Sequence, residues 1–258
     1  MVLPQLLWRF ARHRDDGEFY RLQAEDAIRW MVQQGVRPGP ETEVLDLGCG
    51  HGVFGGELSA RGCRVTYADA ENFLWPPHET GRFLKIDLDR EPLARLGAFD
   101  LVVCSNVLEH LAHPRQFLDQ ASALLRDRGL LYLSWTNWLS PWGGHEFSPF
   151  HYLGPGLGPR VYDRLSGKPR FHQPYSNLFP THIGRVLGWI REGGTLELLE
   201  MAPRYYTEFS FVMRIPMVRE FAAWNCAMLI RKKGEGGSLS VSPLLSPGAE
   251  QMFYNHET

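Results

Sequence analysis

Five short apolar runs, separated by longer mixed segments, limit most strongly how this chain can fold. They span residues 43–49, 64–70, 82–88, 99–107 and 129–135. Each run is nearly continuous in apolar residues, which is typical of a strand that is covered on both faces, and the segments between the runs are long enough for helices. This alternation predicts a doubly wound α/β fold with a mostly parallel sheet.

Further regular structure is predicted on both sides of these runs. Apolar residues at helical spacing begin at Gly17 and end at Gly35, so a helix precedes the first strand. After the fifth run we predict a helix at 181–192, a strand at 195–201, an amphipathic stretch at 209–221 and a last strand at 224–232. The predicted sheet therefore has seven strands, within one domain that covers residues 1–233.

Two segments depart from the alternation. Residues 137–180 are rich in Gly, Pro, His and aromatic residues, show no clear period and are far longer than an ordinary connection. We interpret them as a lid or substrate-binding insertion after strand five. Residues 234–258 are rich in Gly, Ser and Pro and have little apolar content to bury, which predicts a disordered C-terminal tail.

Composition and charge limit the class of protein. The chain has 258 residues, of which 44% are hydrophobic, and a formal net charge of −2. The size allows a large core, and the charge gives no reason to expect nucleic acid as a partner. The cysteines lack the spacing of a zinc site or a disulfide framework, so we expect reduced cysteines in the core.

The sequence suggests neither a membrane span nor a secretory signal. It has no run of about 18 apolar residues, and at its start the apolar residues precede the basic ones, the reverse of a secretory signal. We therefore expect a cytoplasmic protein. The run at 209–224 is also compatible with peripheral contact at a membrane surface, and the sequence specifies no oligomeric state.

The segment VLDLGCGHG, residues 44–52, carries the most specific signal. Its alternating glycines follow a predicted strand, but the dinucleotide fingerprint G-x-G-x-x-G would need a glycine at the position of Val53. This argues against a nicotinamide oxidoreductase. Asp46 precedes the glycines and Asp69 ends the second strand, so the turn suits a cofactor with a cationic amino acid part and ribose hydroxyls rather than a pyrophosphate. S-adenosylmethionine has these groups.

Together with this turn, the motifs YADA, KIDL, FDLVVCSNVLEHL and LLRDRGLLYLS stand in an order that resembles the class I S-adenosylmethionine-dependent methyltransferases. The similarity is to the small-molecule branch, the type 11-like methyltransferases, and covers about residues 41–135. It implies a Rossmann-like fold, with S-adenosylmethionine as cofactor and S-adenosylhomocysteine as product. The insertion and the C-terminal part are similar to a group of uncharacterised bacterial methyltransferases, several of them actinobacterial.

The resemblance also implies which residues contact the cofactor. The methionine part lies at the glycine turn, the ribose at the end of strand two, the adenine after strand three and the transferred methyl group after strand four. In that order, the residues implied are Asp46, Gly48, Cys49, Gly50 and Gly52; Asp69 and Ala70; Asp87 and Leu88; and Asn106.

Methyl transfer to a hydroxyl needs a base, and histidine is the side chain best suited to that role near neutral pH. His145 is our first candidate because it lies at a glycine-rich loop tip, and His110 and Glu146 are the others. We expect no metal site, because His145, Glu146 and His151 do not have the HExxH spacing. Side chains of the insertion are the candidates for acceptor binding: Trp138, Trp142, His151 and Tyr152.

Three functions are open at this point. The first is an O-methyltransferase that acts on a sugar, a glycolipid or another small natural product. The second is a C-methyltransferase of a quinone or isoprenoid lipid, for which loss of His145 should slow the reaction little. The third is a non-catalytic cofactor-binding protein of the same fold, which predicts a damaged glycine turn, whereas the turn here is intact.

Overall fold

A sheet of seven strands forms the centre of the molecule. The structure, a computed structural model, describes residues 1–13, 16–167 and 171–234. Apart from Gly234, the tail predicted to be disordered lies outside the described residues. The strands are β1 (Glu43–Leu47), β2 (Arg64–Asp69), β3 (Arg82–Lys85), β4 (Phe99–Ser105), β5 (Leu125–Thr136), β6 (Leu196–Pro203) and β7 (Asn225–Lys232).

The strand order is β3-β2-β1-β4-β5-β7-β6. The pairs among β1 to β5 are parallel, and β7 runs antiparallel to both β5 and β6. This confirms the predicted doubly wound, mostly parallel sheet. The order reverses between β1 and β4, and in open α/β sheets ligands bind in the crevice at the carboxyl ends of the strands beside such a reversal.

Helices cover both faces of the sheet. They are α1 (Leu3–His13), α2 (Gly17–Gln33), α3 (Val53–Ser59), α4 (Pro114–Ala121), α5 (Gly154–Ser166), α6 (Ile183–Gly193) and α7 (Pro216–Ala222). The helix predicted to begin at Gly17 is α2, and Asp16 caps it: its Oδ1 accepts a hydrogen bond from the amide of Phe19 (3.0 Å). Among the described residues, no helix has the length and apolar character that a membrane span requires.

Neighbouring residues of each central strand contribute to cores on opposite faces of the sheet. Val44 of β1 belongs to the same buried cluster as Met31 of α2, and the next residue, Leu45, belongs to the cluster that contains Phe117 of α4. This alternation follows from the period of two in a strand. All four cysteines are buried and unpaired, as expected from their spacing.

Two helices were missed by the sequence analysis. α1 precedes the predicted elements, and α5 lies inside the insertion, which therefore has more regular structure than its composition predicts. The first half of α5 reads GPGLGP, a composition typical of turns. Pro155 lies in the first helical turn, where proline is tolerated because those amides have no intrahelical partner, whereas Pro159 lies inside the helix. Tyr162 of α5 packs against Phe147 and Phe150, with ring centroids 5.4 and 5.6 Å apart, so part of the insertion has its own aromatic core.

Phe147→Ala tests whether this aromatic core holds the insertion in place. The side chain is fully buried, so its truncation should lower the free energy of unfolding by about 3–5 kcal/mol. The matched control is Phe171→Ala, because Phe171 is 80% exposed and its loss should change that free energy by less than about 0.5 kcal/mol. Urea denaturation followed by circular dichroism measures both. Equal effects of the two substitutions would contradict the assignment.

Candidate functional site

The turn between β1 and α3 has a backbone that favours glycine. Gly48, Gly50 and Gly52 have φ angles of +68°, +49° and +78°. A Cβ at Gly48 would lie 2.3 Å from Cγ2 of Val107, so this turn packs directly against the turn that follows β4. A Cβ at Gly50 would meet no atom of the described residues within 4 Å. The turn therefore has no space for a side chain at Gly48, whereas the space next to Gly50 is open.

Asp46 lies beneath the glycine turn rather than on its surface. It is 2% exposed, and its Oδ2 accepts a hydrogen bond from the amide of Gly55 in α3 (2.8 Å). Burial raises the pKa of Asp46 to about 7; the hydrogen bond from Gly55 opposes this shift and the charge of Asp69 adds to it. The carboxyl group thus joins the end of β1 to the first turn of α3.

Asp69 joins the glycine turn to the end of β2. Its Oδ2 accepts a hydrogen bond from the amide of Gly50 (2.8 Å), and its Oδ1 accepts one from the amide of Ala70 (2.7 Å). The side chain is only partly buried. A carboxylate is therefore held at the carboxyl edge of the sheet, next to the open side of the glycine turn.

The other predicted cofactor residues lie along the same edge. Cys49 is buried, and burial raises the pKa of its thiol, so it remains protonated at neutral pH. Asp87 follows β3, and its Oδ1 accepts a hydrogen bond from the amide of Asp89 (3.0 Å). Leu88 is partly buried against the main core. Because β1, β2 and β3 are parallel, the loop after β3 lies at the same end of the sheet as the glycine turn.

Asn106 is fixed by an arginine that the sequence analysis missed. Its backbone is left-handed, with a φ of +57°, and its Oδ1 accepts a hydrogen bond from Nη1 of Arg204 (2.8 Å). The same nitrogen lies 3.0 Å from Oγ of Ser134 in β5. Arg204 is only 2% exposed and lies 98 residues from Asn106 in the chain, so no local pattern indicates the contact.

Glu109 is a buried carboxylate at the end of β4. It lies in a short 3₁₀ helix and is 1% exposed. Its Oε1 accepts a hydrogen bond from the amide of Thr136, the last residue of β5 (2.9 Å). Its Oε2 has no hydrogen-bond partner among the described residues. The sequence analysis did not single out this residue, although it directly precedes the candidate His110.

Three histidine rings lie together beside Glu109. The ring centroids are 4.4 Å apart for His145 and His172, 5.3 Å for His110 and His172, and 5.4 Å for His110 and His145. Nδ1 of His110 lies 2.9 Å from the carbonyl oxygen of Asn177; a carbonyl only accepts, so Nδ1 carries the proton and Nε2 has the free lone pair. The structure thus brings together two predicted histidines and a third, His172, that was missed.

Glu146 orients His172. Nδ1 of His172 lies 2.5 Å from Oε2 of Glu146, and the amide of His172 donates to Oε1 (2.6 Å). Because the carboxylate accepts the proton on Nδ1, Nε2 of His172 is left as an acceptor. Glu146, predicted as a catalytic residue in its own right, therefore contacts the site through His172.

His145 is half-buried, and its ring is the one in the cluster that carries a buried nitrogen with no partner among the described residues. That nitrogen is Nε2, and the backbone φ of His145 is +51°. Burial lowers the pKa of His145 to about 3, and the neighbouring His172 and His110 lower it further. The ring is neutral at pH 7, but a general base works best with a pKa near the working pH, so His145 alone is a weak base.

The four side chains predicted to bind the acceptor divide into two pairs. Trp138 and His151 are buried in the insertion, with ring centroids 5.2 Å apart. Trp142 and Tyr152 are 46% and 48% exposed, and the hydroxyl of Tyr152 donates to the carbonyl of Leu139 (3.0 Å). The exposed pair is available to a ligand, and the buried pair supports the insertion.

Comparison with known proteins gives the class. A family model described as a methyltransferase domain matches residues 19–155. An uncharacterised methyltransferase of Mycobacterium ulcerans is 32% identical over 230 residues, which cover 84% of this chain and 88% of the relative. One of Mycobacteroides abscessus is 31% identical over 83% and 87% of the two chains. The crystal structure of an S-adenosylmethionine-dependent methyltransferase from Mesorhizobium loti superposes with a TM-score of 0.55 at 16% identity, over 80% and 98% of the chains.

The chain belongs to the methyltransferase domain family, and its fold is that of the S-adenosylmethionine-dependent methyltransferases. It is therefore an enzyme that transfers a methyl group, and S-adenosylmethionine is its cofactor. The resemblance stated from the sequence motifs is confirmed.

Two variants test two separate properties of the glycine turn. Gly48→Ala tests its packing against Val107, and Gly50→Ala tests the access of the cofactor to the turn. Gly48→Ala should lower the free energy of unfolding of the cofactor-free protein by about 3 kcal/mol or more, because backbone strain adds to the clash with Val107. Gly50→Ala should cost only the strain, about 1–2 kcal/mol, yet weaken S-adenosylmethionine binding by about tenfold or more. Urea denaturation and calorimetric titration measure the two effects. Unchanged cofactor affinity in Gly50→Ala would show that the open space is not the cofactor site.

Asp46→Asn should stabilise the cofactor-free protein near pH 8. The pKa of Asp46 is raised from 3.8 to about 7 in the fold, so between those pH values the unfolded chain releases a proton that the folded chain keeps. Between pH 3.8 and about 7, the free energy of unfolding of the wild type therefore falls by on the order of 4 kcal/mol relative to that of the variant. At higher pH the wild type stays less stable than the variant by that amount.

Free energies of unfolding at intervals from pH 4 to pH 8 test this. Glu41→Gln is the control, because Glu41 is exposed: its substitution changes the net charge by the same amount but removes no buried carboxyl group. A difference between wild type and Asp46→Asn that is the same at pH 4 as at pH 8 would contradict the raised pKa.

Proposed function

We propose that this methyltransferase acts on an oxygen atom of a small-molecule acceptor: a sugar, a glycolipid or another natural product. The observation that carries the proposal is the His172–Glu146 pair within a cluster of histidines at the carboxyl ends of β4 and β5. A hydroxyl needs a base before it can attack the methyl group, and a histidine oriented by a carboxylate is suited to that task.

The position of the cluster relative to the cofactor supports the same proposal. Gly48 packs against Val107, which lies between Asn106 and the 3₁₀ helix that carries Glu109 and His110. The donor methyl group, assigned to the vicinity of Asn106, is therefore close to the histidines. Alignment of the two reactants in one crevice supplies much of the rate enhancement in a displacement of this kind.

Each predicted residue has a role in this proposal. Nε2 of His172 accepts the hydroxyl proton while Glu146 holds the ring, and His145 and His110 line the acceptor side of the cluster. The cofactor is held by the residues assigned from the motifs: Asp46, Gly48, Cys49, Gly50, Gly52, Asp69, Ala70, Asp87, Leu88 and Asn106. Trp142 and Tyr152 contact the body of the acceptor, with Trp138 and His151 behind them.

An exposed apolar surface favours an acceptor with a lipid part. The segment 207–222 presents Phe211, Met217 and Phe221, which are 59%, 72% and 51% exposed. Contiguous exposed apolar side chains often mark contact with a partner or a membrane. A glycolipid acceptor at a membrane surface, reached by a cytoplasmic enzyme, agrees with this feature.

The experiment is to incubate the full chain with ¹³C-methyl S-adenosylmethionine and fractionated extract of the source cells. The position of the labelled methyl resonance in the NMR spectrum distinguishes an O-methyl from a C-methyl product. An O-methyl signal in the aqueous fraction is expected for a sugar, and in the organic fraction for a glycolipid. A C-methyl signal would favour the quinone or isoprenoid alternative, and cofactor binding without protein-dependent transfer would favour the non-catalytic one.

His172→Ala should lower turnover with an oxygen acceptor by about a hundredfold, because it removes the base while the cofactor still binds. His113→Ala is the matched control, since that histidine is exposed and outside the cluster. Asp69→Ala should instead weaken cofactor binding. Initial rates and calorimetric affinities for S-adenosylmethionine separate the two effects, and a normal rate for His172→Ala would contradict the assigned base.

A further inference from the structure

We propose that Glu109, His110 and His145 bind a divalent transition-metal ion of the Zn²⁺ class on the acceptor side of the site. One carboxylate oxygen and one ring nitrogen from each histidine all lie within 4.8 Å of one another. Tetrahedral Zn²⁺ with bonds of about 2.0–2.2 Å holds its ligand atoms about 3.3–3.6 Å apart. Side-chain movements that shorten the longest of these separations by about 1 Å complete the set.

The hydrogen bonds of these residues leave ligand atoms free. Oε2 of Glu109 and Nε2 of His145 are buried and have no hydrogen-bond partner among the described residues. Buried polar atoms are nearly always paired, so two unpaired ones in the same cluster need an explanation. A cation between them satisfies both.

The remaining atoms of two of these ligands are already held in the manner typical of metal sites. Nδ1 of His110 donates to the carbonyl of Asn177 (2.9 Å), which fixes the tautomer with a lone pair on Nε2. Oε1 of Glu109 accepts a hydrogen bond from the amide of Thr136 (2.9 Å). Such contacts orient a ligand before the ion arrives.

The donor set indicates the class of ion. Two imidazoles and one carboxylate suit Zn²⁺ or Fe²⁺, whereas Mg²⁺ and Ca²⁺ prefer oxygen ligands alone. Three protein ligands leave a coordination position for a further oxygen, as in catalytic rather than structural zinc sites. The sequence pattern could not indicate this set, because its ligands come from two distant segments. The expectation of no metal site concerned a different set of residues, His145, Glu146 and His151.

The role of the ion rests on the proposed function. The acceptor hydroxyl binds at the open position, where the ion lowers its pKa, and its proton passes to Nε2 of His172. The oxygen then forms a bond to the methyl carbon as the carbon–sulfur bond of the sulfonium breaks, and S-adenosylhomocysteine leaves neutral at sulfur. The ion changes neither charge nor oxidation state.

Metal binding is tested without any acceptor. The full chain is treated with EDTA, dialysed and titrated with Co²⁺, whose visible absorption reports its ligands, and bound Co²⁺ is then displaced by Zn²⁺. We expect one ion per chain. Glu109→Gln, His110→Ala and His145→Ala should each weaken binding by about a hundredfold or more, and His113→Ala should leave it unchanged.

Two further measurements keep the inference falsifiable. Circular dichroism and S-adenosylmethionine affinity check that each variant is folded. If a variant does not fold, X-ray absorption of the wild-type zinc complex tests the ligand set in its place and should show two imidazole ligands. Binding that is absent in wild type, or equal in the three variants and in His113→Ala, would overturn the metal site. If the EDTA-treated enzyme still forms an O-methyl product at the full rate, the metal role fails while the proposed function stands.

Discussion

The packing of Gly48 against Val107 is the contact on which the candidate site depends, because it joins the glycine turn to the turn that leads into the histidine cluster. No side chain larger than that of glycine fits there: a Cβ would lie 2.3 Å from Val107. The turn after β1 therefore rests on the turn after β4, at the point where the strand order reverses. The position of Asn106, and of the helical turn that carries Glu109 and His110, follows from that contact and from the parallel pairing of the two strands.

Three buried polar side chains lie around this contact, and none of them serves stability alone. Asp46 is buried and has its pKa raised, Glu109 has an unpaired oxygen, and the guanidinium of Arg204 is enclosed while it holds Asn106. Burial of charged groups is costly, and apolar residues of similar size would often give a more stable core. Their concentration at the carboxyl edge of the sheet, with apolar clusters on both faces elsewhere, is what a site built for charged ligands requires.

The sequence motifs predicted the arrangement of the strand-end residues better than that of the histidine cluster, for a physical reason. Asp46, the glycines and Asp69 occupy strand ends and a strand-to-helix turn, and the alternation of strands and helices brings those positions to one edge. The histidine cluster depends on contacts between residues 26 or more positions apart, and His172 lies beyond a helix whose Gly- and Pro-rich start does not look helical. Arg204 reaches Asn106 from the end of β6, which no local pattern encodes.

The family match ends within the insertion, before the segment that completes the histidine cluster. The matched residues, 19–155, include the whole glycine turn, the turn after β4 and His145, but they end before His172 and Asn177, which complete the cluster, and before Arg204. The matched region thus contains the motifs assigned to the cofactor, whereas the proposed base His172 and the exposed apolar segment lie in the later part of the chain. Glu146 lies inside the matched region and bonds to His172 outside it, so under the proposed function this pair links the matched domain to the segment that contacts the acceptor. Differences in acceptor among relatives should therefore correlate with residues 171–222 rather than with the glycine turn.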